Sequence, residues 1–356
     1  MSLRVVVWGT GNVGRPAIRA VVANPALTLA GVIVSDPAKV GRDAGELADL
    51  DALGVFATDD AEAVLEEGPD AVVYAASADF RPDEALADIE RCLLAGADVV
   101  TPSIYPLYHP DTAPTALRNR IDDACAAGKA SLLATGIDPG WGQDLLPLVL
   151  SGVCGEITEV RCQEIFNYAS YHAPDAVRDL VGMGMPMDQT PPMLFPTVPT
   201  SVWGPMIHTL ADGLGLIVED IREVVEREPL TRTVEVPTMG TFDEGTQGAF
   251  RFEVQGIVRG EPKLIVEHIT RIDDTCAPQW ASPAPGRSGE HRVVISGRPT
   301  LHVTVSADDG SGNSAEGGNA TAAGRLVHAI PAVCAAPTGL VSSLDLPPIY
   351  GRGLVV

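Results

Sequence analysis

Gly9-Thr10-Gly11-Asn12-Val13-Gly14 has the spacing G-x-G-x-x-G, directly after the apolar run Val5–Trp8 and before a segment in which Ile18, Val21 and Val22 mark one helical face. The chemistry of this spacing lies in the main chain. Gly9 permits a tight turn, Gly11 lets a diphosphate approach the backbone, and Gly14 lets helix and strand pack closely, while N–H groups at the helix N-terminus face the phosphates. Glycine is common here, at 36 residues, so the placement between strand and helix rather than the pattern identifies a dinucleotide cradle. Pro16 falls in the first helical turn, where its missing N–H costs little. Gly9, Thr10, Gly11, Asn12, Val13 and Gly14 are thus expected to bind cofactor, with Arg15 a further phosphate partner.

The end of the next strand discriminates between nicotinamide cofactors. An Asp or Glu there takes the ribose hydroxyls of NAD, but Ser35 follows Val34 in this chain. A hydroxyl leaves room for a 2′-phosphate, and Lys39 and Arg42 supply charge-assisted partners for it, so NADP is expected. Asp36, one residue later, keeps NAD open through its reach to the ribose. Because ligands of open α/β sheets lie across the C-terminal strand ends, Ala75 and Ala76 after one strand and Thr101 and Pro102 after the next are expected to line ribose and nicotinamide.

Reduction of a carbonyl or imine also needs a proton donor within hydrogen-bond reach. Tyr105 stands on the loop after Thr101-Pro102 and is the first candidate; Tyr168 and His172, at the end of a long strand pattern, are next, and His109 is weaker. Trp141 and the run Met183, Met185, Met187 offer an adaptable apolar lining, or equally core or interface packing. The seven histidines are dispersed, HExxH is absent and no cysteine pair has ligand spacing, so no metal is expected; the lack of GxSxG argues against an α/β hydrolase.

These residues need a scaffold, and the alternation of apolar runs with helix-period segments over the first 136 residues predicts one. Strands are expected at Arg4–Trp8, Thr28–Val34, Ala71–Ala76, Asp98–Thr101 and Ser131–Thr135, with helices around Leu86–Leu93 and Thr115–Ala127. The expected class is α/β, a Rossmann-type doubly wound parallel sheet. After about Glu156 the rhythm becomes period-2, as in Phe250, Phe252, Val254 and Leu264, Val266, His268, which predicts a second, α+β domain on a largely antiparallel sheet with one covered face. Helices are expected near Val202–Leu214 and Glu219–Glu228, a mobile loop over Asp308–Asn319, and a last helix over Ala320–Val333, kinked or stopped early at Pro331. The domains read as 1–145 for the dinucleotide, 146–319 for substrate and association, and 320–356 for a terminal helix and tail.

A chain of 356 residues with 46% hydrophobic and 20% charged residues is an ordinary globular protein. Its formal charge of −23 repels phosphate backbones and anionic lipid, which argues against nucleic-acid and membrane partners. Six scattered cysteines read as reduced thiols. The N-terminus reaches glycine too soon for a signal peptide and no apolar run nears the ~20 residues of a membrane span, so a cytoplasmic location is expected.

Several blocks carry a family resemblance: Val7–Gly14, Ser35–Gly45, Thr135-Gly-Ile-Asp-Pro-Gly-Trp-Gly-Gln-Asp-Leu-Leu-Pro147, Phe250–Val258 and Val327–Val333. Through them the chain resembles the oxidoreductases with a dihydrodipicolinate-reductase-type N-terminal domain, and among those 2,4-diaminopentanoate dehydrogenase and the native amine dehydrogenases. The resemblance implies a nicotinamide-dependent enzyme, usually a homodimer, acting on a small apolar substrate. It also implies an open sheet used for association and a last helix that returns to the N-terminal domain. A glutamate just past the fifth strand handles the proton and ammonia in that family, whereas Val99–His109 carries no carboxylate here. Three activities follow as expectations: hydride transfer to or from a ketone, imine or amine; ketone reduction with Tyr105 as acid; or non-catalytic sensing of NADP(H).

Overall fold

The computed structural model describes residues 2–355 except His172 and Ser311. Two compact units are present, one formed by Met1–Ile137 with Asn319–Val356, the other by Asp138–Gly318. Residues 138–145, assigned to the first domain from sequence, therefore belong with the second unit.

The first unit is built on β1 (Leu3–Trp8), β2 (Leu27–Ile33), β3 (Ala57–Thr58), β4 (Ala71–Tyr74), β5 (Asp98–Thr101), β6 (Ser131–Ala134) and, numbered last in the chain, β15 (Gly339–Val341). Its helices are α1 (Gly14–Ala23), α2 (Ala44–Leu47), α3 (Ala61–Glu66), α4 (Pro82–Leu94) and α5 (Thr115–Gly128). The strands lie in the order β15-β6-β5-β4-β1-β2-β3, every pair parallel. Such a sheet is covered on both faces, which is why Val5, Val6 and Val7 are all fully buried instead of alternating. The chain order reverses beside β1, the position at which a doubly wound sheet opens a ligand crevice.

The second unit holds a six-stranded sheet in the order β14-β13-β7-β12-β11-β8, formed by β7 (Glu156–Asn167), β8 (Asp220–Pro229), β11 (Gln247–Val258), β12 (Glu261–Arg271), β13 (Gly289–Arg298) and β14 (Leu301–Val305), beside the small hairpin β9 (Val234–Val236) and β10 (Gly240–Phe242). All neighbours are antiparallel except β12 and β7. Its described residues include the helices α6 (Leu145–Ser151) and α7 (Val198–Leu214). Trp203, Met206, Ile207 and Leu210 recur at helical spacing and are buried. Gly256 of β11 lets α7 sit close, since a Cβ there would meet Ile207 Cγ2 at 2.4 Å. On the opposite sheet face the buried carboxylates of Glu253 and Glu267 bridge Arg161 and Arg251, with Arg161 Nη1 2.7 Å from each carboxylate.

Three expected elements differ. Glu219–Glu228 is a strand: Ile221, Val224 and Val225 imitate helical spacing, but β11 offers a free edge and the ladder formed with it prevails over local periodicity. The charges along β8 suit an edge, where they discourage further pairing. Residues 314–319 lie in α8 (Ser314–Val333), not in a loop, because Asn313 Oδ1 caps the N–H groups of Ala315 and Glu316 at 3.0 and 3.3 Å. Nor does Pro331 stop α8, which runs on to Val333 and is followed by a Cys334 N–H bond to Ile330 O at 2.9 Å. Within the first unit, Ala323, Leu326, Val327 and Ile330 of α8 share a core with Val5, Val7, Ile18 and Val21.

Candidate active site

In the first unit β1 ends at Trp8 and the chain turns at Gly9, whose φ of +98° disfavours any side chain. A Cβ on Gly9 would lie 2.9 Å from Ala76 N, and one on Gly14 would lie 1.9 Å from Gly9 O, so both glycines are required by main-chain contact. A Cβ on Gly11 would meet nothing within 4 Å. That open space fits a diphosphate, and α1 begins there with no side-chain cap from Val13, leaving its first turn oriented for an anion.

The cations around this turn are unequally placed. Lys39 Nζ reaches back to Thr10 O and Oγ1 at 3.3 and 3.2 Å, which fixes a positive charge on the glycine turn. Arg42 pairs with Glu46 at 2.7 Å and Arg15 with Asp49 at 3.8 Å, both on the surface. Ser35 is exposed, while Asp36 Oδ1 accepts the Ala38 N–H at 2.9 Å and so turns to its own backbone. A cavity of about 330 Å³ adjoins Ser35 and is lined also by Trp8, Val34, Asp59, Asp60 and Arg81.

The strand ends are tied together by hydroxyls. Thr101 Oγ1 donates to Tyr74 O at 2.9 Å and accepts the Ser103 N–H at 3.1 Å, and Ser103 Oγ donates to Ala76 O at 2.7 Å. The Thr101 side chain, 0% exposed, is therefore structural and not a lining group, whereas Ala75, Ala76 and Pro102 are half-buried at the strand ends. Tyr105 donates its hydroxyl to Asp79 Oδ1 at 2.9 Å, a carboxylate partner absent from the sequence reading. His109 is buried, its Nδ1 2.9 Å from Thr112 Oγ1.

The second unit gathers a buried cluster that the sequence reading missed except for Tyr168. Register sets it: His291 of β13 and His268 of β12 both lie opposite Glu164 of β7, and Phe252 of β11 lies opposite His268, so one row crosses four strands on one sheet face. Asp138, from the segment before α6, closes it. Asp138 Oδ1 accepts from Trp203 Nε1 at 2.7 Å and His268 Nε2 at 2.8 Å, and Oδ2 accepts from Gln143 Nε2. Glu164 Oε1 accepts from the Tyr168 hydroxyl at 3.1 Å and lies 3.6 Å from His268 Nδ1; its Oε2 lies 3.6 Å from His291 Nε2. Trp203 and Phe252 pack on His268 with ring centroids at 4.4 and 4.8 Å, and Phe166 meets His291 edge-on at 5.4 Å.

Burial pushes the Asp138 carboxyl up, but the charge and hydrogen bond of His268 reverse this and hold it below the ordinary range. Burial likewise pushes the His268 imidazole down, and Asp138 and Glu164 more than offset it, so His268 holds its proton above its ordinary pKa. Burial first and Glu164 second raise the Tyr168 phenol well above its usual value, so it stays a neutral donor. Among the described residues Asp138, Glu164 and His291 are also the trio whose ligand atoms lie within 4.8 Å of one another. His172 lies outside the described residues. Of the expected lining, Met183 is buried, while Trp141, Met185 and Met187 are half-buried. The available signal was a histidine or glutamate on the apolar phase of a strand, as in Leu264-x-Val266-x-His268 and Cys162-x-Glu164-x-Phe166.

Residues 3–101 match the family of dihydrodipicolinate reductase N-terminal domains, and residues 142–351 match the 2,4-diaminopentanoate dehydrogenase C-terminal domain. The chain is 58% identical over 353 residues to an amine dehydrogenase of Streptomyces virginiae, covering 98% of each. It is 26% identical over 263 residues to the 2,4-diaminopentanoate dehydrogenase of Acetoanaerobium sticklandii, covering 70% of this chain and 66% of that one. Its fold matches the solved structure of an amine dehydrogenase from Mycobacterium smegmatis with a TM-score of 0.79 at 24% identity, over 100% of this chain and 99% of that one.

Proposed function

The chain belongs to the amine dehydrogenase family of NAD(P)-dependent oxidoreductases, and from that membership we propose that it transfers hydride between NADP and a small, largely apolar ketone, imine or amine. An enzyme of this class turns its cofactor over, which removes the reading as a passive sensor. The nicotinamide supplies the hydride acceptor and donor when bound. In the amine direction the balance is a primary ammonium, NADP⁺ and water giving a ketone, an ammonium ion, NADPH and a proton.

The observation that carries the cofactor part is the open space over Gly11 between two glycines that tolerate no Cβ. NADP over NAD is supported by exposed Ser35, by Asp36 being engaged at Ala38 N and by Lys39 standing on the turn. Asp59 and Asp60 on the neighbouring cavity oppose an added phosphate, so Lys39 and Arg42 have to outweigh them. Gly9 to Gly14, Arg15, Ala75, Ala76 and Pro102 complete the proposed cofactor set. Thr101, fully buried with its hydroxyl engaged at Tyr74 O, is left out of it.

A second reading, reduction of a ketone to an alcohol, is favoured by Tyr105: residues 102–109 carry no carboxylate and Tyr105 stands there as the acid, paired with Asp79. Ammonia decides between the two. Purified protein with NADPH and a panel of small ketones is expected to oxidise the cofactor when ammonium is present and to reduce NADP⁺ with the matching amines. Equal turnover without ammonium would install alcohol chemistry instead, and no turnover in either direction with NADP or NAD would overturn the proposal. In the same assay Tyr105→Phe is expected to lower turnover by roughly 10²–10⁴-fold if it donates the proton; a loss under about threefold makes it a wall.

The rest of the reading is a cytoplasmic homodimer. It rests on the family resemblance. Among the described residues no helix is long and apolar enough to cross a membrane.

A further inference from the structure

Two polar atoms of the second unit's buried cluster are left unsatisfied. His291 Nε2 has no hydrogen-bond partner among the described residues, although its side chain is 8% exposed and points to Glu164 Oε2 across 3.6 Å, too far for a hydrogen bond. Gln143, whose Nε2 holds Asp138, has an Oε1 without a partner among the described residues. Gln143 Oε1 is a buried acceptor without a donor, and His291 Nε2 is a second one in the Nδ1–H tautomer; such atoms are unfavourable, and their position beside two carboxylates marks a place for a donor that the described residues do not provide.

We propose that Asp138, Glu164 and His291 bind the protonated nitrogen of a primary amine within the second unit. One ligand atom from each lies within 4.8 Å of the others. Any three points so spaced share a point within about 2.8 Å of all of them, the length of a charge-assisted N–H···O bond. A primary ammonium has three N–H groups to place there, and the two carboxylates with the unpartnered imidazole nitrogen give three acceptors.

Charge selects the same ligand. His268, hydrogen-bonded to Asp138 and 3.6 Å from Glu164, contributes a proton between the two carboxylates, which leaves one negative charge to match. A monovalent cation fits that balance. A divalent metal would sit beside an imidazolium, and Asp138 already accepts from Trp203, His268 and Gln143. The aromatic rings of Phe166, Trp203 and Phe252 keep water from the row, so the charge interactions are less screened than in bulk. The ligand class rests on the amine dehydrogenase reading; the geometry does not.

The test is calorimetry on the full chain without cofactor, titrating butan-2-amine hydrochloride, its N,N,N-trimethyl analogue, butan-2-ol and zinc chloride. The primary ammonium is expected to bind at least about tenfold tighter than the alcohol and the trimethyl analogue. Glu164→Gln is expected to lose that preference with cofactor affinity retained and a lowered unfolding midpoint, and His291→Gln to weaken amine binding by about threefold or more. A folded Glu164→Gln with the preference intact overturns the proposal, as does zinc binding that displaces the amine from the wild type and disappears in His291→Gln. If Glu164→Gln fails to fold, a folded His291→Gln with undiminished amine affinity overturns it alone. Amine oxidation that survives alongside such a result would leave the proposed function standing. Glu164-dependent ammonium binding without any amine oxidised by NADP⁺ or NAD⁺ would remove that function and leave the site.

Discussion

The glycine turn of the first unit and the polar row of the second are built by opposite means. The turn takes its shape from three glycines within six residues and binds with main-chain groups, so its side chains matter mostly by being absent. The row draws Asp138, Glu164, Trp203, His268 and His291 from segments far apart in the chain and has little function without their side chains. A site made of backbone is local and tolerant of its surroundings. One made of charges in an apolar wall depends on every partner, because each charge is affordable only while the others are present.

That contrast predicts unequal costs. Asp138→Asn leaves the imidazole of His268 buried without its anion, and is expected to cost about 3–5 kcal/mol in urea unfolding. The cost has a pH signature. His268 has a raised folded pKa, so its share of stability is complete below its unfolded value near ~6.5 and disappears as pH rises through the folded value. Asp138 has a lowered one, so its share is present above about 3.8 and disappears as pH falls through the folded value. The gap between wild type and variant is thus expected to be widest at mildly acidic pH and to narrow in both directions. A gap that stays flat from pH ~5 to ~9 would show that the pair is not charged.

Gly14→Ala is the matching insult to the turn, placing a Cβ 1.9 Å from a carbonyl oxygen. A loss of about 1–3 kcal/mol is expected, with weaker binding of both NADP and NAD measured by fluorescence titration. Unchanged affinity would mean that the turn does not set the cofactor's position. The smallest effect is expected from Ser35→Asp, which leaves the fold alone and adds a charge where the 2′-phosphate would lie. The ratio of NADP to NAD affinity should fall about tenfold; an unmoved ratio would place that phosphate elsewhere.

The first unit was readable because its evidence is local. Arg4–Trp8, Asp98–Thr101 and Ser131–Thr135 are short, largely apolar runs that become strands within one residue at either end, since a sheet buried on both faces demands apolar residues at nearly every position. The second unit was readable only in its period. Leu264, Val266 and His268 share one face as expected, yet the same reading took Glu219–Glu228 for a helix, because the edge of β11 that recruits this segment lies far away in sequence. Residues 314–319 looked too polar to order, and their cap Asn313 and the packing of Gly317 against Ala307 are contacts of the folded chain.

The amino-acid order alone determined that a strand, a three-glycine turn and a helix follow one another at Val5–Ala23, since each step depends on residues a few positions apart and on glycine's freedom at Gly9. Strand register decided the rest. Glu164, His268 and His291 each interrupt a run of apolar residues on one strand face, and they become a cluster because β12 and β13 flank β7 with both histidines opposite the same glutamate. A slip of one residue in either pairing would turn a histidine to the other face.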